Sequence, residues 1–169
     1  MDVSTSPPSS TPWPFALFQP MTEKSQALVD AFRDPRWRRV KARLKALRLK
    51  GRRAVRIVDV NCGNGGLLVQ SADYARSLGF LSIEAVGVDC SSRLIEAARH
   101  RARSAADLAI GLKFDVAEPL WQLEAEAEFP ADIVLFEGPA RPSPALAEAV
   151  RRAGDLALRI APYRTEARR

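Results

Sequence analysis

After Gly51 the chain alternates between short apolar, β-rich runs and longer stretches with helical spacing, and no other feature constrains the fold as strongly. The runs are Val55–Val60, Ile83–Val88, Ile110–Phe114, Asp132–Phe136 and Leu156–Ile160. Helical segments lie between them near Gly66–Leu78, Ser92–Ser104, Leu120–Ala127 and Pro144–Ala153. Strands separated by helices rather than by tight turns run parallel, and right-handed crossovers put the helices on both faces of the sheet. The pattern predicts a three-layer α/β domain over residues 52–169, built on a doubly wound sheet of about five parallel strands. At 169 residues and 47% hydrophobic content, the chain has enough apolar material for one such core.

Two other regions precede this domain. Residues 1–21 carry Pro7, Pro8, Pro12, Pro14 and Pro20 among serines and threonines, which predicts a flexible arm. Within the arm, Trp13, Phe15 and Phe18 are available to dock on the domain or to close over a ligand. Residues 22–51 read as two helices. The first covers Thr22–Phe32; the second opens with Asp34 as N-cap and Pro35 at the first helical position, and Gly51 stops it. Trp37, Val40, Leu44 and Leu47 recur at three or four positions and form its apolar stripe.

The remaining faces of the second helix hold Arg36, Arg38, Arg39, Lys41, Arg43, Lys45, Arg48 and Lys50, opposed locally by Asp34 alone. Such a face suits an anionic partner, but no aromatic platform is interleaved with the charges, so a solvated face is favoured over a nucleic-acid surface. Between Phe114 and Ala140 every charge is acidic, from Asp115 to Glu137. The basic helix and this acidic segment can pair within one molecule or between copies, with solvation as the default.

The first β-rich run ends in Asp59, Val60, Asn61, Cys62, Gly63, Asn64, Gly65 and Gly66, and a helical pattern follows at once. A glycine-rich turn between strand and helix lets a ligand approach the backbone and presents amide N–H groups to it. The second run ends in Val86, Gly87, Val88 and Asp89, which places an acid where it can accept both hydrogen bonds of a ribose diol. The loop and Asp89 together point to an adenosine-containing ligand without choosing which one.

Over roughly Val55 to Ile160 the chain resembles the class I S-adenosylmethionine-dependent methyltransferases, a Rossmann-like family. Asp59 to Gly65 looks like their first motif, and Gly87 to Ser91 followed by Leu94 to Arg99 looks like their second. Phe114 to Val116 resembles the third, and Ala131 to Phe136 the fourth strand. The resemblance implies S-adenosylmethionine as cofactor. Gly63 and Gly65 would pass close to its methionine part and Asp59 would help hold the amino group. Asp89 would take the ribose hydroxyls, Cys90 would lie against the adenine, Asp115 would accept from the exocyclic amine and Val116 would donate its backbone N–H.

Three departures from the family pattern stand out. Asn61 replaces the first glycine of the loop, although asparagine tolerates left-handed backbone. The spacing from Asp59 to Asp89 is longer than is typical. After Leu156–Ile160 only Ala161 to Arg169 remain, where the family usually adds two more strands. The expectation is a C-terminally short sheet whose edge a second copy or a partner subunit would cover. Glu137, after the fourth run, is the candidate catalytic residue, placed to orient or deprotonate an acceptor. The fourth motif lacks the Asn-Pro-Pro-Tyr type of sequence of amino-methylating nucleic-acid enzymes, so a small-molecule or protein acceptor is favoured.

An inactive or partner-dependent S-adenosylmethionine-binding subunit is the alternative to an active enzyme. An NAD(P)-dependent oxidoreductase is disfavoured by Asp59, where dinucleotide folds prefer an apolar residue, and by Leu68, where their motif needs a glycine. Cys62, Cys90 and His100 have no metal-ligand spacing, so no metal site is expected. An oxidation switch between the two cysteines is disfavoured in a reducing compartment. No stretch approaches the roughly 18 apolar residues of a membrane span, and the chain is expected to be cytoplasmic. The net charge of +6 selects no partner by itself.

Overall fold

The five runs form strands β1 (Ala54–Val60), β2 (Ser82–Asp89), β3 (Ile110–Val116), β4 (Ile133–Glu137) and β5 (Ala157–Ile160). The computed structural model describes residues 31–103, 107–139 and 141–160. All the strand pairs are parallel, in the order β3-β2-β1-β4-β5. Around them lie α1 (Trp37–Leu49), α2 (Gly66–Ser77), α3 (Ser92–Arg103), α4 (Pro119–Glu126) and α5 (Pro144–Ala153). This is the Rossmann-like doubly wound arrangement. Chain order reverses across β1, and the crevice at the carboxyl ends of β1 and β4 is the usual ligand position in such sheets.

Alternation within each strand assigns its side chains to two cores. Val55 and Ile57 of β1 join Ile83, Ala85, Leu135 and Leu158 in one core with the buried faces of α1, α2 and α3. Val58 and Val60 join Val86, Val88, Val134 and Phe136 in the other, beneath α4 and α5. The central strands are apolar nearly throughout because both faces are covered, whereas edge strand β3 buries only Phe114.

Helix α1 docks through Trp37, Val40, Leu44 and Leu47, all buried. Each contributes about 1.5–3 kcal/mol relative to exposure, enough to hold a helix otherwise crowded with like charges. Its C-terminus closes at Gly51, with Arg52 N–H donating to the Leu47 carbonyl at 3.1 Å and Gly51 N–H to Arg48 at 2.9 Å.

Its start differs from expectation. The helix opens at Trp37 rather than at Pro35, and residues 35–36 form a turn ahead of it in which the Asp34 carboxylate accepts the Arg36 amide at 2.8 Å and the Asp34 carbonyl accepts the Trp37 amide at 3.0 Å. The arm over 1–21 and the helix over 22–32 lie outside the described residues, apart from residues 31–33, which are helical. The short C-terminal end also falls there: among the described residues the sheet has five strands, and 161–169 are not described.

Charge pairing between the basic and acidic regions runs mainly through residues that follow α1. Arg52 meets Asp132 at 3.1 Å and Arg56 meets the buried Glu126 at 2.8 Å, while the helix itself sends Arg43 to Asp155, outside the acidic segment, at 3.1 Å. Among the described residues no helix is long and apolar enough to cross a membrane.

Candidate functional site

Beyond Val60 the chain turns through three residues with left-handed backbone, Asn61 (φ 63°), Gly63 (φ 57°) and Gly65 (φ 73°). The turn is anchored at several points. Cys62 N–H donates to the Val88 carbonyl at 2.9 Å, and Gly65 N–H to the Cys62 carbonyl at 3.0 Å. Arg101 donates to the Asn64 carbonyl. The two glycines do different work. A Cβ on Gly63 would meet nothing within 4 Å, so the space above it is open to a ligand. On Gly65 it would lie 2.7 Å from the Phe114 ring, and on Gly87 2.6 Å from the same ring. Phe114 is wedged between the loop and β2, and only glycine leaves it room on either side.

Asp89 closes the turn against the end of β2. Its Oδ2 accepts Gly63 N–H at 3.0 Å and its Oδ1 accepts Ser91 N–H at 2.9 Å. Each carboxylate oxygen keeps a further acceptor position, and the two backbone donors fix where those positions point. A vicinal diol is the natural complement of such a pair.

Asp59 is on the same face of the sheet as Gly63 and Asp89, and it is 1% exposed. Facing it is Arg36, itself 8% exposed, with Nη1 3.6 Å from Asp59 Oδ1. The rest of the Arg36 guanidinium forks onto Asp34, Nε at 3.1 Å and Nη2 at 2.8 Å. Burial works against the Arg36 charge, but the Asp34, Asp59 and Glu137 carboxylates outweigh it and raise its pKa. Burial pushes the Asp59 carboxyl up from 3.8 to about 6, opposed by Arg36 and assisted by Asp34 and Asp89.

The folded state therefore favours protonated Asp59. Its contribution to stability is present below about pH 4 and is lost as the pH rises through about 6. That loss is on the order of 3 kcal/mol. Asp59→Asn cannot ionise, so the variant should gain stability relative to the parent between about pH 4 and 7. Urea denaturation of both proteins across that range measures the difference; a difference that stays flat would contradict the assignment.

Glu137 ends β4 one step beyond Phe136, which pairs in register with Val60, so it is on the Asp59 face and only half-buried. Cys62 is buried and its thiol is pushed well above the ordinary range, by burial first and then by Asp59 and Asp89. Cys90 is exposed, with Sγ 3.7 Å from the Ala117 carbonyl, and both cysteines are free.

Val116 pairs in register with Asp89, but Asp115 is on the opposite face of β3 from Phe114. There it meets Lys113 at 2.9 Å and Arg99 at 3.3 Å, lining a cavity of about 670 Å³ with Val116, Trp121 and Glu126. The structure thus brings Asp59, Asn61, Cys62, Gly63, Gly65 and Asp89 together, with Glu137 beside them, and leaves Cys90, Asp115 and Val116 further along the strand ends. Arg36 was absent from the sequence-based set. Its only signal was the neighbouring acid in Asp34-Pro35-Arg36.

A methyltransferase-domain family matches residues 52–157. Among solved structures, the chain is similar to MNMC2 from Aquifex aeolicus, at 16% identity and a TM-score of 0.51, covering 76% of this chain and 48% of that one. It is also similar to a SAM-dependent methyltransferase from Thiobacillus denitrificans in complex with S-adenosyl-L-homocysteine (18%, TM-score 0.47, covering 74% and 46%). A third is the magnesium protoporphyrin IX methyltransferase of Synechocystis PCC 6803 with bound SAH (16%, TM-score 0.46, covering 78% and 57%). At these identities the likeness bears on the fold alone, and the chain spans about half the length of these proteins. No curated protein matches it.

Proposed function

The chain belongs to the methyltransferase-domain family, and we propose that it binds S-adenosylmethionine where β1 and β2 end and methylates a small-molecule or protein acceptor. The observation that carries this reading is Asp89, locked by two backbone N–H groups beside the open space over Gly63. When bound, the cofactor supplies an electrophilic methyl on a sulfonium. Asp89 would accept from the ribose hydroxyls, and Gly63 would admit the ligand against the backbone. Cys62, protonated and buried, serves as packing beneath the loop. Glu137 is the charged group at the end of β4 that would orient an acceptor or take its proton. Methyl transfer otherwise demands alignment and exclusion of water more than acid–base chemistry, so one carboxylate is sufficient equipment.

A second reading, a cofactor-binding subunit that needs a partner, is favoured by β5. Among the described residues its outer edge carries no paired strand, and a second copy or a partner subunit would cover it.

Calorimetric titration with S-adenosylmethionine, S-adenosylhomocysteine and NAD tests the cofactor. Both sulfur compounds should bind and NAD should not; binding of NAD alone would refute the reading. Conversion of S-adenosylmethionine to S-adenosylhomocysteine in the presence of fractionated cell extract then separates the enzyme from the dependent subunit.

A further inference from the structure

In the sequence the basic face of α1 has no ring among its charges; the fold supplies one from α2. Arg38, Lys41 and Lys45 recur at three and four positions, so they share one ridge of the helix. Tyr74 of α2 stands across from that ridge. Together with Ala42, whose small side chain leaves room between the longer ones, these residues line an open depression of about 380 Å³. Among the described residues no carboxylate lines it. Arg38 and Lys45 are exposed and, among the described residues, enter no ion pair, whereas Arg36 and Arg43 of the same run are taken up by Asp34 and Asp155.

The rings beside the depression are held in place. Buried Trp37 meets Tyr74 edge-on, with centroids 5.5 Å apart and planes at 72°, and meets Phe32 in the same way at 5.9 Å and 73°. Lys41 Nζ lies 5.4 Å from the Trp37 ring. Tyr74 is half-buried and Phe32 more than half exposed, so each keeps ring surface toward solvent. From Arg38 to Lys45 the ridge spans about 10 Å, at a helical rise of about 1.5 Å per residue.

We propose that this groove between α1 and α2 docks single-stranded nucleic acid, Arg38, Lys41 and Lys45 meeting its phosphates and Tyr74 stacking on an unpaired base. A row of unpaired cations matches a chain of phosphates, and release of the phosphates' counterions drives binding. A ring among cations matches bases that a duplex would keep stacked on one another. An acidic polypeptide would satisfy the charges and leave the ring unused. A bilayer needs apolar side chains that project, whereas Tyr74 lies along a depression. The surface is built largely outside the family match, which begins at residue 52, and the inference does not rest on the cofactor reading.

Fluorescence anisotropy of the full chain with labelled single strands of about 12 nucleotides, RNA and DNA, tests this. At least one should bind with a dissociation constant of about 1–100 μM near physiological salt. Joint replacement Arg38→Gln and Lys45→Gln should weaken binding about tenfold or more. It should also flatten the dependence of log affinity on log salt by about 1.4, roughly 0.7 for each cation removed. Tyr74→Leu keeps a side chain against Trp37 but has no ring. It should weaken single-strand binding about fivefold to a hundredfold with the salt dependence and duplex binding unchanged, and Tyr74→Phe should bind like the parent.

If neither strand binds, or the double variant binds like the parent, the basic ridge is a solvated face and the proposal is overturned. A folded Tyr74→Leu that binds single strands like the parent overturns it as well. Polyglutamate that displaces the strand as effectively as unlabelled strand of equal charge would assign the groove to an acidic protein instead. Capture of the chain by phosphatidylserine vesicles, with no strand bound, would assign it to a membrane surface. Should Tyr74→Leu fail to fold, the exposed charge variant and the polyglutamate competition decide between them. S-adenosylhomocysteine binding should be the same in every folded variant, so failure here leaves the cofactor reading standing.

Discussion

Replacing Asp89 with alanine is expected to raise the dissociation constant for S-adenosylhomocysteine by about a hundredfold or more. Two losses add up. The carboxylate that would accept from the ribose disappears, and each charge-assisted hydrogen bond of this kind contributes about 1.5–3 kcal/mol. Gly63 and Ser91 also lose their common acceptor, so the loop is no longer held against the end of β2. Asp89→Asn retains the shape but only one acceptor oxygen, and its affinity should fall between the two. Circular dichroism must show both variants folded for calorimetry to be read this way. An alanine variant that is folded and binds like the parent would remove the main support for the cofactor site.

The second large effect is on stability, and it separates Gly63 from Gly65, which share left-handed backbone in the same loop. Gly65→Ala combines left-handed backbone at φ 73° with a Cβ placed 2.7 Å from the Phe114 ring and 3.0 Å from Ala98. The ring has little room to yield, because a Cβ on Gly87 too would lie within 2.6 Å of it. Backbone strain and overpacking together should cost about 3–5 kcal/mol.

Gly63→Ala has the strain without the collision and should cost about 1–2 kcal/mol. Its Cβ would instead occupy the open space over the loop, so its larger effect should be on ligand affinity. Urea denaturation gives the stability comparison, with Phe114→Leu expected to recover part of the Gly65→Ala loss. Equal stability of the two alanine variants would refute the wedge.

Much of this architecture is legible in the order of residues. Strand and helix periods are local properties, and each of the five runs and four later helices appears where its period places it. The ends move where a neighbour decides them. β3 continues past Phe114 to Val116 because Asp115 and Val116 find hydrogen-bonding partners in Val88 and Asp89. α1 begins at Trp37, after a turn over residues 35–36 that Asp34 ties down through the Arg36 amide. The first acid, the loop and the second acid converge as their positions at strand ends require, since adjacent parallel strands finish at the same side of the sheet.

Arg36 shows where local reading stops. In the sequence it belongs to a run of basic residues with an apolar stripe, and only the acid two residues before it separates it from Arg38 or Arg39. By itself the sequence determined the parallel sheet, the left-handed loop and the acid that ends β2, because these follow from periodicity, from glycine and from strand ends. Only the tertiary structure decided that one arginine of the basic run is buried against Asp59, and that Gly65 serves packing while Gly63 stays open. Those outcomes depend on which atoms meet across the fold. Burial and unmet hydrogen bonds are properties of the packed chain, not of any residue in it.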